Sequence, residues 1–132
     1  MDQHTFYHFF VNHIIVEILL NDKRIDPTCL KNRPIIGASY NGHYEVVKLL
    51  MADNRVDPSD DQNSAICVAS REGHFQVVEL LLTDCRVQPV TLAVILATEN
   101  GRLEALKVLL SDTRIDFKNL QKCSDCITWN FL

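Results

Sequence analysis

One stretch of this sequence, residues 41–58, occurs again at 72–89, more weakly at 100–116, and in a decayed form at 14–27. The three stronger copies share an x-Gly pair, an apolar pair such as Val-Val, a Leu-Leu pair and an Asp-x-Arg segment. The arginines of that segment are spaced by 31, 31 and 28 residues, at Arg24, Arg55, Arg86 and Arg114. Self-similarity at such a period is typical of a repeat architecture, in which each unit buries its apolar face against its neighbours.

The last spacing is three residues shorter than the others, and the alanines indicate where the residues are missing. Ala38 and Ala69 are 31 residues apart, whereas Ala69 and Ala97 are 28 apart. The deletion therefore lies between Gln88 and Ala97. Connections tolerate deletions and packed helices do not, so we assign the loss to the connection between two units.

Within a unit the pattern predicts helix, Gly turn, helix and loop. Pro34 suits the first turn of a helix, where its missing N–H is no loss. Asn41-Gly42 ends that helix, because Gly accepts the left-handed conformation. A second helix at about residues 44–53 has a wide apolar stripe, and residues 57–63 predict a turn-rich loop.

The fold class that follows is all-α: an α-solenoid of stacked helix-turn-helix units. We predict a single domain over residues 1–132, with units at about 1–31, 32–62, 63–91 and 92–118 and a partial unit at 119–132. Residues 1–13 predict a short helix whose aromatic face caps the next unit. Residues 123–130 predict the first helix of the partial unit.

The segment 34–50 resembles the ankyrin repeat, through Gly42-His43 at a fixed distance from Ala38 and from Leu49-Leu50. The resemblance covers about residues 1–130. It implies a non-enzymatic module that binds a protein through the concave face of the stack. Short units with an Asp-x-Arg-Val-Asp-Pro segment are similar to those in the ankyrin arrays of large DNA viruses and some protists.

The sequence departs from the family pattern in two respects. The Thr-Pro-Leu-His tetrapeptide is mostly absent, and Ile36, Cys67 and Ile95 stand where its histidine would join neighbouring repeats. We expect these three side chains to join the units by packing instead. The units are also about two residues shorter than the usual ~33, so we expect no regular β-hairpins between them.

Charge and composition exclude several classes of partner. The net charge is −4, which disfavours a nucleic-acid phosphate surface. The longest apolar run, Ile14 to Leu20, contains Glu17 and is too short to span a bilayer. Five cysteines without a signal peptide indicate free thiols in a reducing, cytoplasmic compartment. Nothing in the sequence implies a cofactor.

Three recurring patterns have both a functional and a structural interpretation. The Asp-x-Arg pairs could read an extended peptide, but their exact recurrence favours arginines that pair with an Asp of the next repeat and cover helix ends. Ser39/His43 and Ser70/His74 have the residue types of a nucleophile and base, but a glycine separates them, and we expect the histidines to bond to backbone. Cys123-Ser124-Asp125-Cys126 is a lone C-x-x-C without a second pair for zinc. We predict no catalytic and no metal site, and we expect Cys67 and Cys85 to be small buried side chains.

The resemblance places a binding surface on the exposed side of the first helices and on the loop tips. Candidates from the helices are Gly37, Tyr40 and Asn41; Val68, Arg71 and Glu72; and Leu96, Glu99 and Asn100. Candidates from the loops are Lys31, Arg33, Ser59, Asp60, Asp61, Gln62, Val90 and Thr91. These positions vary between units, unlike the core. Tyr40 and Arg71 are the expected anchors, because Tyr and Arg dominate hot spots.

Two alternatives remain open for the function. The chain could be a truncated remnant or subunit of a longer array, since apolar residues close to Leu132 leave its end without a polar cap. It could also be an adaptor that recruits a host complex through its own surface. We expect a monomer, with end-to-end dimerisation as the other outcome.

Overall fold

The structure is a computed structural model, and it describes residues 12–114. This range contains seven helices and no strand: α1 His13–Leu20, α2 Cys29–Asn41, α3 Tyr44–Ala52, α4 Asp60–Glu72, α5 Phe75–Leu82, α6 Thr91–Glu99 and α7 Leu103–Ser111. The predicted all-α stack of helical hairpins is therefore confirmed. The predicted capping helix, the partial fifth unit and the C-x-x-C pair lie outside the described residues. The assignment of residues 1–132 to one domain stays a prediction.

The helices form two layers. The first helices of the units pack on one another in the order α2, α4, α6, and the second helices in the order α1, α3, α5, α7. Each hairpin also packs internally, as α2 with α3, α4 with α5 and α6 with α7. Each helix from α2 to α7 thus contacts its own hairpin partner and a neighbour in its layer, which explains the wide apolar stripes.

The core repeats in register from unit to unit. Leu50, Leu81 and Leu109, from the three Leu-Leu pairs, are each 0 % exposed. Val56 and Val87, each directly after the arginine of an Asp-x-Arg pair, are also 0 % exposed. Burial of a Leu or Val side chain stabilises the fold by about 1.5–3 kcal/mol, so these positions make a similar contribution to packing in each unit that has them.

The Gly turn between the two helices is also a place where neighbouring units approach closely. Gly42 and Gly73 are left-handed, with φ of +72° and +81°. The ring of His74 lies against Gly42, where a Cβ would meet its Nδ1 at 2.5 Å, and the Arg102 side chain lies against Gly73 in the same way at 2.7 Å. The glycines are therefore required both for the turn and for the approach of the next unit.

A second turn, ahead of the first helices, was not predicted. Leu30, Lys31 and Asn32 all have left-handed backbone, with φ of 51°, 58° and 60°. Asp61, Gln62 and Asn63 repeat this conformation one unit later, with φ of 54°, 60° and 61°. The right-handed part of α2 and α4 therefore begins only after these residues. The connections at 27–33 and 57–63, predicted as loops, each contain one left-handed turn.

Hydrogen bonds offset the strain of this turn. Each left-handed residue other than Gly costs roughly 1–2 kcal/mol. The N–H of Asn32 donates to the Thr28 carbonyl at 3.0 Å, and Asn63 does the same to Ser59 at 2.9 Å. The third connection is three residues shorter, and no non-Gly residue of the described chain outside 30–32 and 61–63 has positive φ. The deletion therefore removes the left-handed turn as a whole.

The two asparagines join neighbouring units. The Oδ1 of Asn32 accepts from the N–H of Asp57 at 3.1 Å, and its Nδ2 donates to Oδ2 of Asp60 at 2.9 Å. The Oδ1 of Asn63 accepts from the N–H of Gln88 at 3.1 Å. Asn32 is only 5 % exposed. These amides are thus polar links between neighbouring units. Of the three side chains expected to join the units by packing, Ile36 and Cys67 are buried and Ile95 is half-buried.

The glycine turns generate a stability prediction. Gly101→Ala should cost about 1–2 kcal/mol, because its φ is +66° but no described atom lies within 4 Å of the new Cβ. Gly42→Ala should cost at least about 1 kcal/mol more, because the Cβ also strikes the His74 ring. Gly73→Ala should fall between them, since it meets the flexible Arg102 side chain. Urea unfolding of the three variants measures the order, and an equal loss in all three would contradict the close approach.

The asparagine link generates a second prediction. Asn32→Ala should lower the free energy of unfolding by about 2 kcal/mol, because it leaves the Asp57 N–H without its acceptor and removes the bond to Asp60. Asn63→Ala should cost about 1 kcal/mol, since one bond is lost at an exposed site. Gln62→Ala is the matched control, with a similar φ of 60°, and should change little. An equal loss of unfolding free energy in Asn32→Ala and Gln62→Ala would contradict a stabilising role for the asparagine link.

Candidate functional site

The predicted binding residues all lie at or near the surface of the described chain. Those on the first helices form rows across α2, α4 and α6: Gly37, Val68 and Leu96; Tyr40, Arg71 and Glu99; Asn41, Glu72 and Asn100. Tyr40, Asn41, Glu99 and Asn100 are exposed, and the other five are half-buried. Of the loop candidates, Lys31, Arg33 and Gln62 are exposed, whereas Ser59, Asp60, Asp61, Val90 and Thr91 are half-buried.

The two expected anchors are in direct contact. The guanidinium carbon of Arg71 lies 5.5 Å from the centroid of the Tyr40 ring. The Nε of Arg71 also donates to Oε1 of Glu72 at 3.1 Å. A guanidinium at this distance from an aromatic face is attracted by the ring quadrupole. Tyr40, Arg71 and Glu72 therefore form one cluster, which we call the Tyr-Arg cluster, on the face of α2 and α4.

The following unit holds the backbone beneath the cluster. The Nε2 of His74 is 3.0 Å from the carbonyl oxygen of Tyr40, to which it donates. The Nε of Arg102 donates to the carbonyl oxygen of Arg71 at 3.1 Å. These are the same side chains that cover Gly42 and Gly73. The expectation that the Gly-His histidines bond to backbone is correct for His74, although the carbonyl belongs to the preceding unit.

Some of the polar candidates already have hydrogen-bond partners within the chain, and others have none in residues 12–114. The amides of Asn41 and Asn100 donate to carbonyls of their own helices, at 2.9 and 2.8 Å. Asp60 accepts from Asn32 and from the N–H of Asp61, and these hydrogen bonds lower the pKa of the Asp60 carboxyl. Four side chains make no hydrogen bond or ion pair within residues 12–114 and are available to a ligand: Arg33, Asp61, Gln62 and Glu99.

The Asp-x-Arg pairs are structural, but their short ion pairs lie within a repeat and not, as predicted, between repeats. Each arginine binds the aspartate two residues before it, with Nη2–Oδ2 distances of 2.7–2.8 Å in all four pairs. The N–H of each arginine also donates to that aspartate, at 2.8–2.9 Å, because a local turn brings the two residues together. Between units the described chain has one Arg–Asp ion pair of these arginines, a longer contact of 3.9 Å from Arg86 back to Asp57 of the preceding unit.

The arginines nevertheless join the units through carbonyl oxygens. Arg55 donates from Nη1 to Ile25 at 3.1 Å, and Arg114 donates to Val87 at 2.7 Å and to Leu82 at 3.0 Å. Arg86 is 3.4 Å from the Val56 carbonyl and 3.9 Å from Oδ1 of Asp57, both in the preceding unit. The aspartates thus orient guanidinium groups that cap the backbone of the preceding unit.

Two further sequence interpretations have clear outcomes. Ser70 is fully buried and donates to the Ile66 carbonyl at 2.7 Å, so it cannot act with His74 on a substrate. Cys67 is buried, and burial raises the pKa of its thiol to about 11. Cys85 is exposed, so its predicted burial was wrong. It lies beyond the end of α5 at Leu82, where the apolar face of that helix also ends. Within residues 12–114 no cluster of His, Cys, Asp or Glu has the geometry of a metal site.

Sequence reasoning missed the roles of Asn32 and Asn63 and a groove in the other layer, described below. The recurrence of the two asparagines at the 31-residue period was a usable signal. It was overlooked because asparagine is common in turns of every kind.

The comparisons with known proteins agree with this geometry. The model of the ankyrin repeats family (three copies) matches the chain twice, at residues 7–91 and 38–122. No curated protein and no solved structure matches the chain. None of the helices in residues 12–114 combines the length and apolar character that a bilayer span needs.

The chain therefore belongs to the ankyrin-repeat family. Ankyrin repeats are generally protein–protein interaction modules and are typically not enzymes.

The aspartate–arginine pairs generate a pH prediction. Hydrogen bonds from the arginines hold the pKa of Asp53, Asp84 and Asp112 below its usual value. A pKa that is depressed on folding stabilises the protein above the unfolded pKa of about 3.9 and loses that contribution as the pH falls through the folded pKa. Unfolding should therefore become easier between about pH 5 and pH 2.

Urea unfolding of Asp84→Asn across this range tests the assignment. The variant should be less stable than the natural chain at neutral pH, and the difference should shrink as the pH falls. Asp61→Asn is the control, because the Asp61 side chain has no partner in residues 12–114. A constant difference between Asp84→Asn and the natural chain at every pH would contradict the pairing.

Proposed function

We propose that this chain binds a protein partner through the concave face of its repeats, formed by the first helices α2, α4 and α6 and the turns before them. The Tyr-Arg cluster carries the proposal. Tyr and Arg are the residues most enriched in binding hot spots, and here they meet on the surface of adjacent units, 5.5 Å apart.

The backbone beneath the Tyr-Arg cluster is held in place before a partner binds. His74 and Arg102 fix the carbonyls of Tyr40 and Arg71, so the backbone under the cluster is held by the next unit. A segment whose backbone is already fixed loses less entropy on binding, and preorganisation of this kind raises affinity. The cluster is thus a ready anchor, whereas the unoccupied polar groups Arg33, Asp61, Gln62 and Glu99 around it can select a partner by its charge.

The charge of the face changes sign along the array, from positive at α2 to negative at α4 and α6. Lys31 and Arg33 lie at the start of α2, Asp60 and Asp61 at the start of α4, and Glu99 at the end of α6. A partner segment with acidic residues over α2 and basic residues over α4 and α6 would complement them. We propose a cytoplasmic protein as the partner and a monomer as the binding form. Recruitment of a larger complex and membership of a longer array are the alternatives.

The double variant Tyr40→Ala/Arg71→Ala tests the face. The natural chain is used as bait, the captured protein is identified and purified, and its affinity is measured by calorimetry. We expect the double variant to weaken binding at least about 30-fold, the equivalent of one hot-spot residue, without a change in helical content. The losses of binding free energy in the two single variants should not add up to the loss in the double variant, because the two side chains touch.

Lys107→Ala serves as the control, because Lys107 is an exposed residue of α7 in the other layer. It should leave the affinity unchanged. Natural affinity in the double variant would overturn the assignment of the face, and so would an equal loss in Lys107→Ala.

A further inference from the structure

A groove lies in the layer of second helices, between α3 and α5. Its volume is about 560 Å³, and it is lined by Tyr44, Glu45, Gln76, Glu79, Leu80 and Thr83. None of the residues assigned to the concave face lines it. The groove is therefore a separate surface, on the other layer of the stack.

The lining combines an aromatic ring, an aliphatic side chain and two carboxylates. Tyr44 is 36 % exposed at the first position of α3, and Leu80 is half-buried. Glu45 and Glu79 are exposed and make no hydrogen bond or ion pair within residues 12–114. Lys48, three residues after Glu45, is exposed, does not line the groove and is in no ion pair in the same range.

The next junction of the same layer shows that these charges are not a general property of the repeat. By the spacing of the repeats, Glu104 of α7 occupies the position of Glu45 in α3. Lys107 of α7 occupies the position of Lys48 in α3 and of Glu79 in α5. The Nζ of Lys107 lies 3.5 Å from Oε1 of Glu104. This later pair neutralises itself, whereas the groove between α3 and α5 has two unpaired carboxylates.

We propose that this groove binds a basic segment of a partner protein, with an arginine or lysine side chain held by Glu45 and Glu79. Charge complementarity selects the class of occupant: two unpaired carboxylates attract a cation, and the Tyr44 ring can accept the same cation on its face. Long basic side chains also have an apolar stem, which suits the half-buried Leu80. The neutral Gln76 and Thr83 add hydrogen-bonding groups without opposing the charge.

This proposal goes beyond the concave face and is independent of it. The two surfaces belong to opposite layers, so a domain that uses both would hold two proteins at once. Failure of one proposal leaves the other intact, because no residue is shared between them.

A titration followed by nitrogen–proton NMR tests the groove on the full chain. The probe is the peptide acetyl-Leu-Arg-Leu-Arg-amide, and the control peptide is acetyl-Leu-Glu-Leu-Glu-amide. We expect the arginine peptide to shift the backbone amides of Tyr44, Glu45, Gln76 and Glu79, and the glutamate peptide to leave them unchanged. Added salt should weaken the binding, because exposed charge pairs are screened.

Variants separate specific binding from general attraction to an acidic protein. Glu45→Gln/Glu79→Gln keeps the shape of both side chains and should weaken the arginine peptide about fivefold, as for two exposed charge pairs. Glu104→Gln removes one negative charge outside the groove and should have no effect, and neither should Tyr40→Ala/Arg71→Ala. Equal shifts with both peptides, no shift at the groove, or an equal loss in Glu104→Gln would overturn the proposal.

Discussion

The stack depends on side chains of one unit that donate to the backbone of the unit before it. His74 and Arg102 donate to the carbonyls of Tyr40 and Arg71, and Arg55 and Arg114 donate to those of Ile25 and Val87. Of these bonds, the one from Arg114 to the Val87 carbonyl is partly buried, where a carbonyl without a donor would cost free energy. Adjacent units therefore satisfy one another, in addition to burying each other's apolar faces.

Because these bonds end on backbone carbonyls, the side chains of the carbonyl residues are not needed for the link between units. The acceptor at Tyr40 and Arg71 is the carbonyl oxygen, which any residue at those positions would present. The side chains above can then vary between units without loss of the link, as they do in the row of Tyr40, Arg71 and Glu99. The aspartates and arginines of the Asp-x-Arg pairs recur for the opposite reason, since there the side chains themselves make the contact.

The sequence predicted the helices, the glycine turns and the core because each follows from a local pattern. Apolar residues at helical spacing and Asn41-Gly42 suffice to place α2 and α3 within a few residues of their observed bounds. Three features needed tertiary information. The left-handed turn at Leu30 to Asn32 is supported by bonds from Asn32 to the next unit, which a local pattern does not reveal. The partner of each Asp-x-Arg arginine depends on a turn geometry that spacing alone leaves open, and the exposure of Cys85 follows from where α5 ends.

The sequence indicated which side chains of the first helices are accessible but not which of them already have a partner, and their role in binding stays a prediction. The family pattern indicated which residues face outward, and the described structure agrees for Tyr40, Arg71 and Glu99. It did not indicate that Asp60 is engaged by Asn32 or that Asn41 and Asn100 bond to their own helices. Such engagement decides which polar groups a partner can use, because a side chain that is already satisfied gains little from a new contact. The same reasoning distinguishes Glu104, already paired with Lys107, from Glu45 and Glu79. Sequence register alone makes Glu45 and Glu104 equivalent, and only the structure shows that Glu104 has a lysine partner while Glu45 has none in residues 12–114.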